Sequence, residues 1–447
     1  MGKNQKKYVC SNCGAESITW GGKCQTCGEW NTLEEVIIAT STRTGSPGSK
    51  LTSITSDKAA KSNEKRMPSG IADIDIVLGG GIVPGSVMLL AGEPGIGKST
   101  LLLQLANAVA KSKKVLYISG EESVHQIGLR AKRLSSTNVS LQLAASTRVE
   151  DIEASISGND YDMVVVDSIQ TIATDRLTSS AGSVSQITSC TTMLMQAAKE
   201  SNTALILVGH VTKEGSIAGP KLLEHIVDVV LQLEGDRYGG FKILRGVKNR
   251  FGSTNEVAIL EMADEGLKIV DNPSKALLAE RQITDGSVVL ATMEGSRPIL
   301  VEVQALVNKT SYGYPKRTAS GIDINRLNLL IAMLERRTRL NLSDKDIYIN
   351  IVGGIRVTEP AADLAICMAI GSASKGLKLK QNAVVFGEVG LSGEVRHAPF
   401  IEKRIAEAKK MGFEVVIGPK PRDSKAKDKL LFPARDVRVA LNTFLET

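Results

Sequence analysis

The middle of the chain is punctuated by short, continuous apolar runs at residues 87–91, 115–119, 163–166 and 204–209. Each is strand-length, and none alternates with polar residues. Such runs belong to strands buried on both faces, as in a parallel sheet covered by helices. The run at 87–91 is followed by a helical stretch opening Leu101-Leu102-Leu103-Gln104-Leu105. Further strands are predicted at 226–234 and 241–246. From about residue 274 the pattern changes. Residues 288–292 and 298–305 alternate as half-buried strands do, 323–337 repeats with a helical period, and 347–352 reads as a strand. A helix start follows at Glu359-Pro360, where an early proline is well tolerated, and then a strand at 383–388. The expected division is a small domain at 1–35, a connector at 36–66, an α/β domain at 67–273 and an α+β domain at 274–447.

The connector is rich in Ser and Thr and carries Arg43, Lys50, Lys58, Lys61, Lys65 and Arg66 around Gly45-Ser46-Pro47-Gly48. It reads as a flexible basic tether, either simply solvated or touching phosphates. No apolar run approaches the roughly 20 residues that span a bilayer, so no membrane association is expected. The basic start is not followed by an apolar stretch, which argues against a signal peptide. Apolar residues make up 42% of the 447 positions but aromatics only 4%, so the core is aliphatic, as α/β domains require. The net charge of +7 permits a polyanionic partner without demanding one.

Six cysteines are present, and four of them, Cys10, Cys13, Cys24 and Cys27, form two C-x2-C knuckles ten residues apart. That spacing suits a tetrahedral Zn²⁺ site in a reducing, cytoplasmic compartment rather than a disulfide framework. Gly14, Gly22 and Gly28 are placed for tight turns, and Trp20 and Trp30 are expected to cover the site. Whether such a ribbon meets protein or DNA is open. Cys190 and Cys367 sit singly in apolar helical stretches.

The strand at 87–91 runs into Gly92-Glu93-Pro94-Gly95-Ile96-Gly97-Lys98-Ser99-Thr100, a P-loop in its proper strand–loop–helix setting. Its glycines let backbone N–H groups approach phosphate oxygens. Lys98 is placed for the β and γ phosphates, and the Ser99 hydroxyl for Mg²⁺. About 70 residues on, Val164-Val165-Val166-Asp167 reads as a Walker B strand whose carboxylate holds Mg²⁺. Glu121 and Glu122 follow the strand at 115–119, where one of them is expected to orient the attacking water. His210 ends the strand at 204–209 and is a candidate sensor of the γ-phosphate. The Gly- and Ser-rich stretches 175–185 and 211–221 leave the carboxyl edge of the sheet, where α/β proteins bind ligands. Lys248 and Arg250 flank Asn249 at a strand end. In a ring of subunits they would reach the neighbour's γ-phosphate as an arginine finger does.

The P-loop, the segments 117–123, 164–171 and 209–221, and Lys248-Asn249-Arg250-Phe251-Gly252 together resemble the bacterial RadA (Sms) family over essentially the whole chain. The resemblance implies a RecA-like ATPase core with an amino-terminal zinc ribbon, related to ring helicases of the DnaB type. It implies a homo-hexamer around single-stranded DNA and ATP-driven branch migration at branched recombination intermediates. A strand-exchange recombinase is the implied partner, and ATP, Mg²⁺ and Zn²⁺ are the implied cofactors. The last domain resembles the proteolytic domain of Lon, of ribosomal protein S5 type. Ala361 stands where Lon carries its nucleophilic serine. Glu402 aligns with the catalytic lysine, or Lys403 after a one-residue slip. Without an activated hydroxyl there is no Ser–Lys protease, so a proteolytically dead scaffold is expected. Its cations Lys309, Lys316, Arg317, Arg396, Arg404, Lys409 and Lys410 are candidates for duplex contact or oligomer packing. A DNA-dependent ATPase is the leading expectation, and a nucleotide switch acting on a protein partner the alternative.

Overall fold

The computed structural model describes residues 5–38, 66–158, 160–210, 222–235, 241–311, 313–379, 383–421 and 428–446. Most of the connector and the whole stretch 211–221 lie outside the described residues. The chain forms two compact units that divide between Ile269 and Val270, with Phe241 grouped with the second. No helix among the described residues is long and apolar enough to cross a membrane.

The ribbon is a three-stranded antiparallel sheet, β1 (Gln5–Cys10), β2 (Glu16–Ser17) and β3 (Leu33–Ile38), with β1 in the middle. The ATPase sheet follows α1 (Ala72–Val77). Its elements alternate as β4 (Val87–Gly92), α2 (Lys98–Val109), β5 (Val115–Ser119), α3 (Val124–Arg133), β6 (Leu141–Ala145), α4 (Val149–Ser157), β7 (Met163–Asp167), α5 (Val184–Ser201) and β8 (Ala204–His210). Then come α6 (Leu222–Ile226), β9 (Val229–Gly235), β10 (Phe241–Asn249), β11 (Val257–Ala263) and β12 (Gly266–Ile269). The nine strands lie in the order β12-β11-β10-β9-β4-β8-β7-β5-β6. Those from β9 to β6 in that order are parallel.

Successive side chains of a strand point to opposite faces, and β4 shows the consequence. Met88 and Leu90 join one core with α2 and α3, while Val87 and Leu89 join the other with α4 and α5. Cys190 is buried in the second core. Local chemistry sets the helix ends. Ser123 and Gln126 form a capping box at α3, and Asn202 closes α5 in the left-handed conformation.

The reading of 226–234 as one strand needs correction. Residues Leu222–Ile226 are helical, and β9 begins at Val229. Between them the Asp228 carboxylate accepts the Val87 N–H (3.1 Å), so a polar residue ties the turn to the foot of β4.

The second unit opens with α7 (Pro273–Leu278), β13 (Ser287–Glu294), β14 (Arg297–Lys309), β15 (Arg317–Ser320), α8 (Ile324–Thr338) and β16 (Lys345–Ile351). It continues with α9 (Asp363–Lys375), β17 (Lys378–Leu379), β18 (Ala383–Val385), β19 (Glu388–Val389), β20 (Val395–Arg396) and α10 (Ile401–Lys410). β21 (Val415–Gly418), β22 (Leu431–Pro433), α11 (Val437–Phe444) and β23 (Leu445–Glu446) complete it. Its main sheet has the order β15-β16-β14-β13-β18-β21-β22. The core helix α9 is buried continuously over its first ten residues, Asp363 to Ser372, and packs on β13 and β14.

Candidate functional site

The P-loop joins the end of β4 to the start of α2. Gly95 and Gly97 hold positive φ values of 79° and 113°, which glycine adopts without steric cost. A side chain at Gly95 would meet nothing within 4 Å, so the loop presents open backbone there. Lys98, the first residue of α2, folds back over the loop. Its ammonium donates to the carbonyls of Gly92 and Glu93, each at 2.9 Å. Burial pushes its pKa down to about 8, against the opposing pull of the Asp167, Glu121 and Glu93 charges. A desolvated cation on the loop that opens a helix suits a polyphosphate. Ser99 and Thr100 follow on the first turn of α2, so Ser99 stands where a P-loop supplies its hydroxyl to Mg²⁺.

The carboxylates arrive from the next strands. In the parallel register of β5 and β7, Ser119 pairs with Asp167. Asp167 is the last residue of β7, and the Asp167–Ser168 peptide is cis. One Asp167 oxygen accepts the phenol of buried Tyr117 at 2.6 Å. Burial first, and the Asp167 charge second, hold that phenol well above its usual range. The Ser168 hydroxyl donates to Glu121 at 2.8 Å. Glu122 instead forms an ion pair with Arg130 of α3. Both carboxylates ride on a turn shaped by Ser119, whose hydroxyl accepts the N–H groups of Glu121 (3.2 Å) and Glu122 (2.9 Å). The structure thus separates two residues that are equivalent in the sequence. Glu121 is tied to the Walker B turn, while Glu122 is held by an arginine. His210 pairs in register with Gly92, at the P-loop end of the sheet.

Lys248 and Arg250 lie elsewhere. β10 runs antiparallel to β9 and pairs Asn249 with Val229, which itself pairs with Met88 at the foot of β4. The P-loop leaves the head of β4, at Gly92. Four residues of strand, about 13 Å, separate the two levels of the sheet. Lys248 donates to the Val227 carbonyl (2.7 Å) and to that of Glu224. Arg250, with half its side chain exposed, pairs with Asp228 (2.9 Å). Neither cation is brought to the chain's own phosphate loop.

The Gly- and Ser-rich stretch 175–185 is bonded to the helix that follows it, chiefly through one side chain. Gln186 is buried, accepts the Thr174 N–H, and donates to the carbonyls of Thr174, Leu177 and Ser179.

In the ribbon the four cysteine sulfurs lie within 4.8 Å of one another, and the pairs Cys10–Cys27 and Cys13–Cys24 are each 3.6 Å apart. A tetrahedron with Zn–S bonds of about 2.3 Å has an edge of about 3.8 Å, so the cage fits zinc. Each knuckle closes on a glycine with positive φ: Gly14 N–H donates to Cys10 and Gly28 N–H to Cys24, both at 2.9 Å. The tryptophans do not cover the site. Trp20 is 64% and Trp30 69% exposed, and Lys23 lies over the Trp30 ring. With the cysteines and tight turns enclosing the metal position, the indoles are left at the surface.

In the second unit Ala361 is buried, with its carbonyl taken by Gly387 N–H (2.6 Å). The Lys403 ammonium donates to the Ser296 carbonyl. Arg404, grouped with the DNA-facing cations, is fully buried. Its guanidinium forks onto Glu359, donates to the carbonyls of Ala291 and Pro399, and stacks on Phe386. Arg404 is therefore a core residue, unavailable to a phosphate. Arg396 is held by Glu388 and Glu394.

Sequence reasoning missed Tyr117, Ser168, Asp228, Gln186 and the Arg404–Glu359 pair. A faint signal existed for the first: Tyr117 is the lone aromatic of its strand, flanked by Leu116 and Ile118.

Comparison with known proteins agrees with this architecture. The AAA domain family matches residues 65–216, the rubredoxin metal binding domain family residues 8–35, and the family of subunit ChlI of Mg-chelatase residues 329–422. The chain is 46% identical to DNA repair protein RadA of Aquifex aeolicus, covering 99% of each chain. It is 48% identical to that of Listeria monocytogenes, over 95% of this chain and 94% of the relative. Against that of Bacillus subtilis it is 49% identical, over 94% and 93%. The P-loop domain makes it an ATPase that uses ATP with Mg²⁺, and the ribbon is a zinc site. The chain belongs to the RadA family of DNA repair proteins.

Proposed function

We propose that the chain is a DNA-stimulated ATP motor of the cytoplasm, working as a homo-hexameric ring on single-stranded and branched DNA. In this reading Gly92 to Thr100 cradle the phosphates, with Lys98 on the β and γ groups. Ser99 and Asp167 hold Mg²⁺ and its water. Glu121, anchored to the Walker B turn by Ser168, orients the attacking water. Glu122 keeps a structural pairing with Arg130. His210, at the head of β8, reports the state of the γ-phosphate to the residues that follow it. Hydrolysis drives branch migration, in partnership with a strand-exchange recombinase.

The observation that carries this reading is the position of Lys248 and Arg250. Two cations at the foot of the sheet are engaged away from their own phosphate loop, with the Val227 carbonyl and Asp228. A second subunit's nucleotide is the target this reading assigns to them. Arg250 would then trade Asp228 for transferred charge, and nucleotide turnover would be felt at each subunit boundary.

Steady-state ATP hydrolysis with and without single-stranded DNA tests the proposal, with Lys98→Ala as the blank. Strong stimulation, lost in the blank, is expected. Turnover indifferent to DNA that nevertheless binds would overturn the motor reading and favour a switch acting on a protein partner.

A further inference from the structure

We propose that Tyr117 is a positioning residue for the metal site, holding Asp167 in the orientation that Mg²⁺ requires. The inference rests on the reading of Asp167 as the Mg²⁺-holding carboxylate.

Tyr117 occupies the middle of β5, paired in register with Val165. It shares the face of the sheet that carries α2, within one core with Val115, Met163, Val165 and Leu101. Asp167 is two residues beyond Val165 on the same strand and therefore on the same face. Two strand residues rise about 6.6 Å, which is the reach of a tyrosine from Cα to its hydroxyl. The phenol thus lies along the strand and meets the carboxylate at the strand's end, at 2.6 Å. Its ring is fully buried and cannot swing away without emptying core volume.

An ionised carboxylate offers two oxygens. With one taken from inside by the phenol, the carboxylate cannot rotate freely, and the other oxygen remains for the metal or its water. Hydrogen bonds to a ligating carboxylate act in this way at many metal sites, fixing the ligand before the ion arrives. The nearby hydroxyl of Ser168 is directed to Glu121 instead, so the two carboxylates have separate anchors. Phenylalanine at 117 would fill the same volume and keep every apolar contact. The hydroxyl is the feature that packing does not explain.

The test is Tyr117→Phe, read by binding of a fluorescent ATP analogue across a titration of free Mg²⁺, with circular dichroism to check the fold. The free Mg²⁺ at half-saturation is expected to rise roughly tenfold, the range seen when such outer partners are removed. Binding measured in excess chelator should be unchanged. Turnover at saturating Mg²⁺ should fall less than turnover at low Mg²⁺. A Mg²⁺ midpoint equal to that of the wild type overturns the proposal. So does a loss of affinity equal with and without Mg²⁺, which would mark a purely structural role. Asp167→Asn separates the two layers of the argument. If it too leaves the Mg²⁺ midpoint unmoved, the reading of Asp167 has failed. If it shifts the midpoint while Tyr117→Phe does not, only the role of Tyr117 has failed.

Discussion

Lys98 shows how one residue can carry both a cost and a function. Its ammonium is desolvated, so its pKa in the folded protein is about 8 against 10.5 for a free lysine. Below pH 8 the group is protonated in both folded and unfolded chains, and the cost of burying the charge is fully present. Between pH 8 and 10.5 the unfolded chain keeps the proton and the folded chain releases it. Through that window this residue's contribution to stability rises with pH. ATP reverses the preference, because phosphate charge favours the ammonium. Nucleotide binding at pH 8.5–9 is therefore expected to take up a proton. Calorimetry in buffers of different ionisation enthalpy should show this uptake in the wild type and none in Lys98→Arg. Identical binding enthalpies in all buffers, corrected for dilution, would refute it.

At the scale of elements, the β11–β12 hairpin is fastened to the helix that opens at the P-loop. Gln104 of α2 accepts the Leu267 N–H at 2.9 Å and donates to the Leu267 carbonyl at 3.2 Å, extending the strand's bonding to a side chain. The hairpin in turn covers the P-loop, where a side chain on Gly97 would come within 3.0 Å of Met262. Gln104→Ala removes both hydrogen bonds at a partly buried place. The expected loss is about 1–3 kcal/mol, or a few degrees in melting temperature. A thermal melt unchanged within about 1 °C would show that the hairpin is held by its apolar contacts alone.

For the whole molecule, the question is whether the nucleotide is completed by a second chain. Lys98→Ala lacks a working P-loop but keeps Lys248 and Arg250, and Arg250→Ala has the converse defect. If the cations act across a subunit boundary, mixing the two inactive variants creates some boundaries with both parts intact. Part of the DNA-stimulated turnover should then return. A mixture no more active than its components would place the role of Arg250 within its own chain or in folding.

Much of this protein was legible in its amino-acid order because the relevant physics is local. A C-x2-C knuckle needs only a tight turn, a P-loop only glycines between a strand and a helix, and a doubly buried strand only an unbroken apolar run. Those patterns led to the zinc cage, the phosphate loop, the Walker B strand and the doubly buried parallel sheet. Long-range geometry was hidden. Nothing adjacent in sequence distinguishes Glu121 from Glu122. That difference comes from Ser168 and Arg130, which folding brings to opposite sides of one turn. The charge on Arg404 suggested a surface, but Glu359, 45 residues away, makes its burial tolerable. The antiparallel return of β10 carries Lys248 and Arg250 to the foot of the sheet, a direction that composition does not encode. Sequence specifies what each residue can do and the local element it joins; only the tertiary structure decides which distant partner satisfies it, because burial and pairing depend on contacts between segments far apart in the chain.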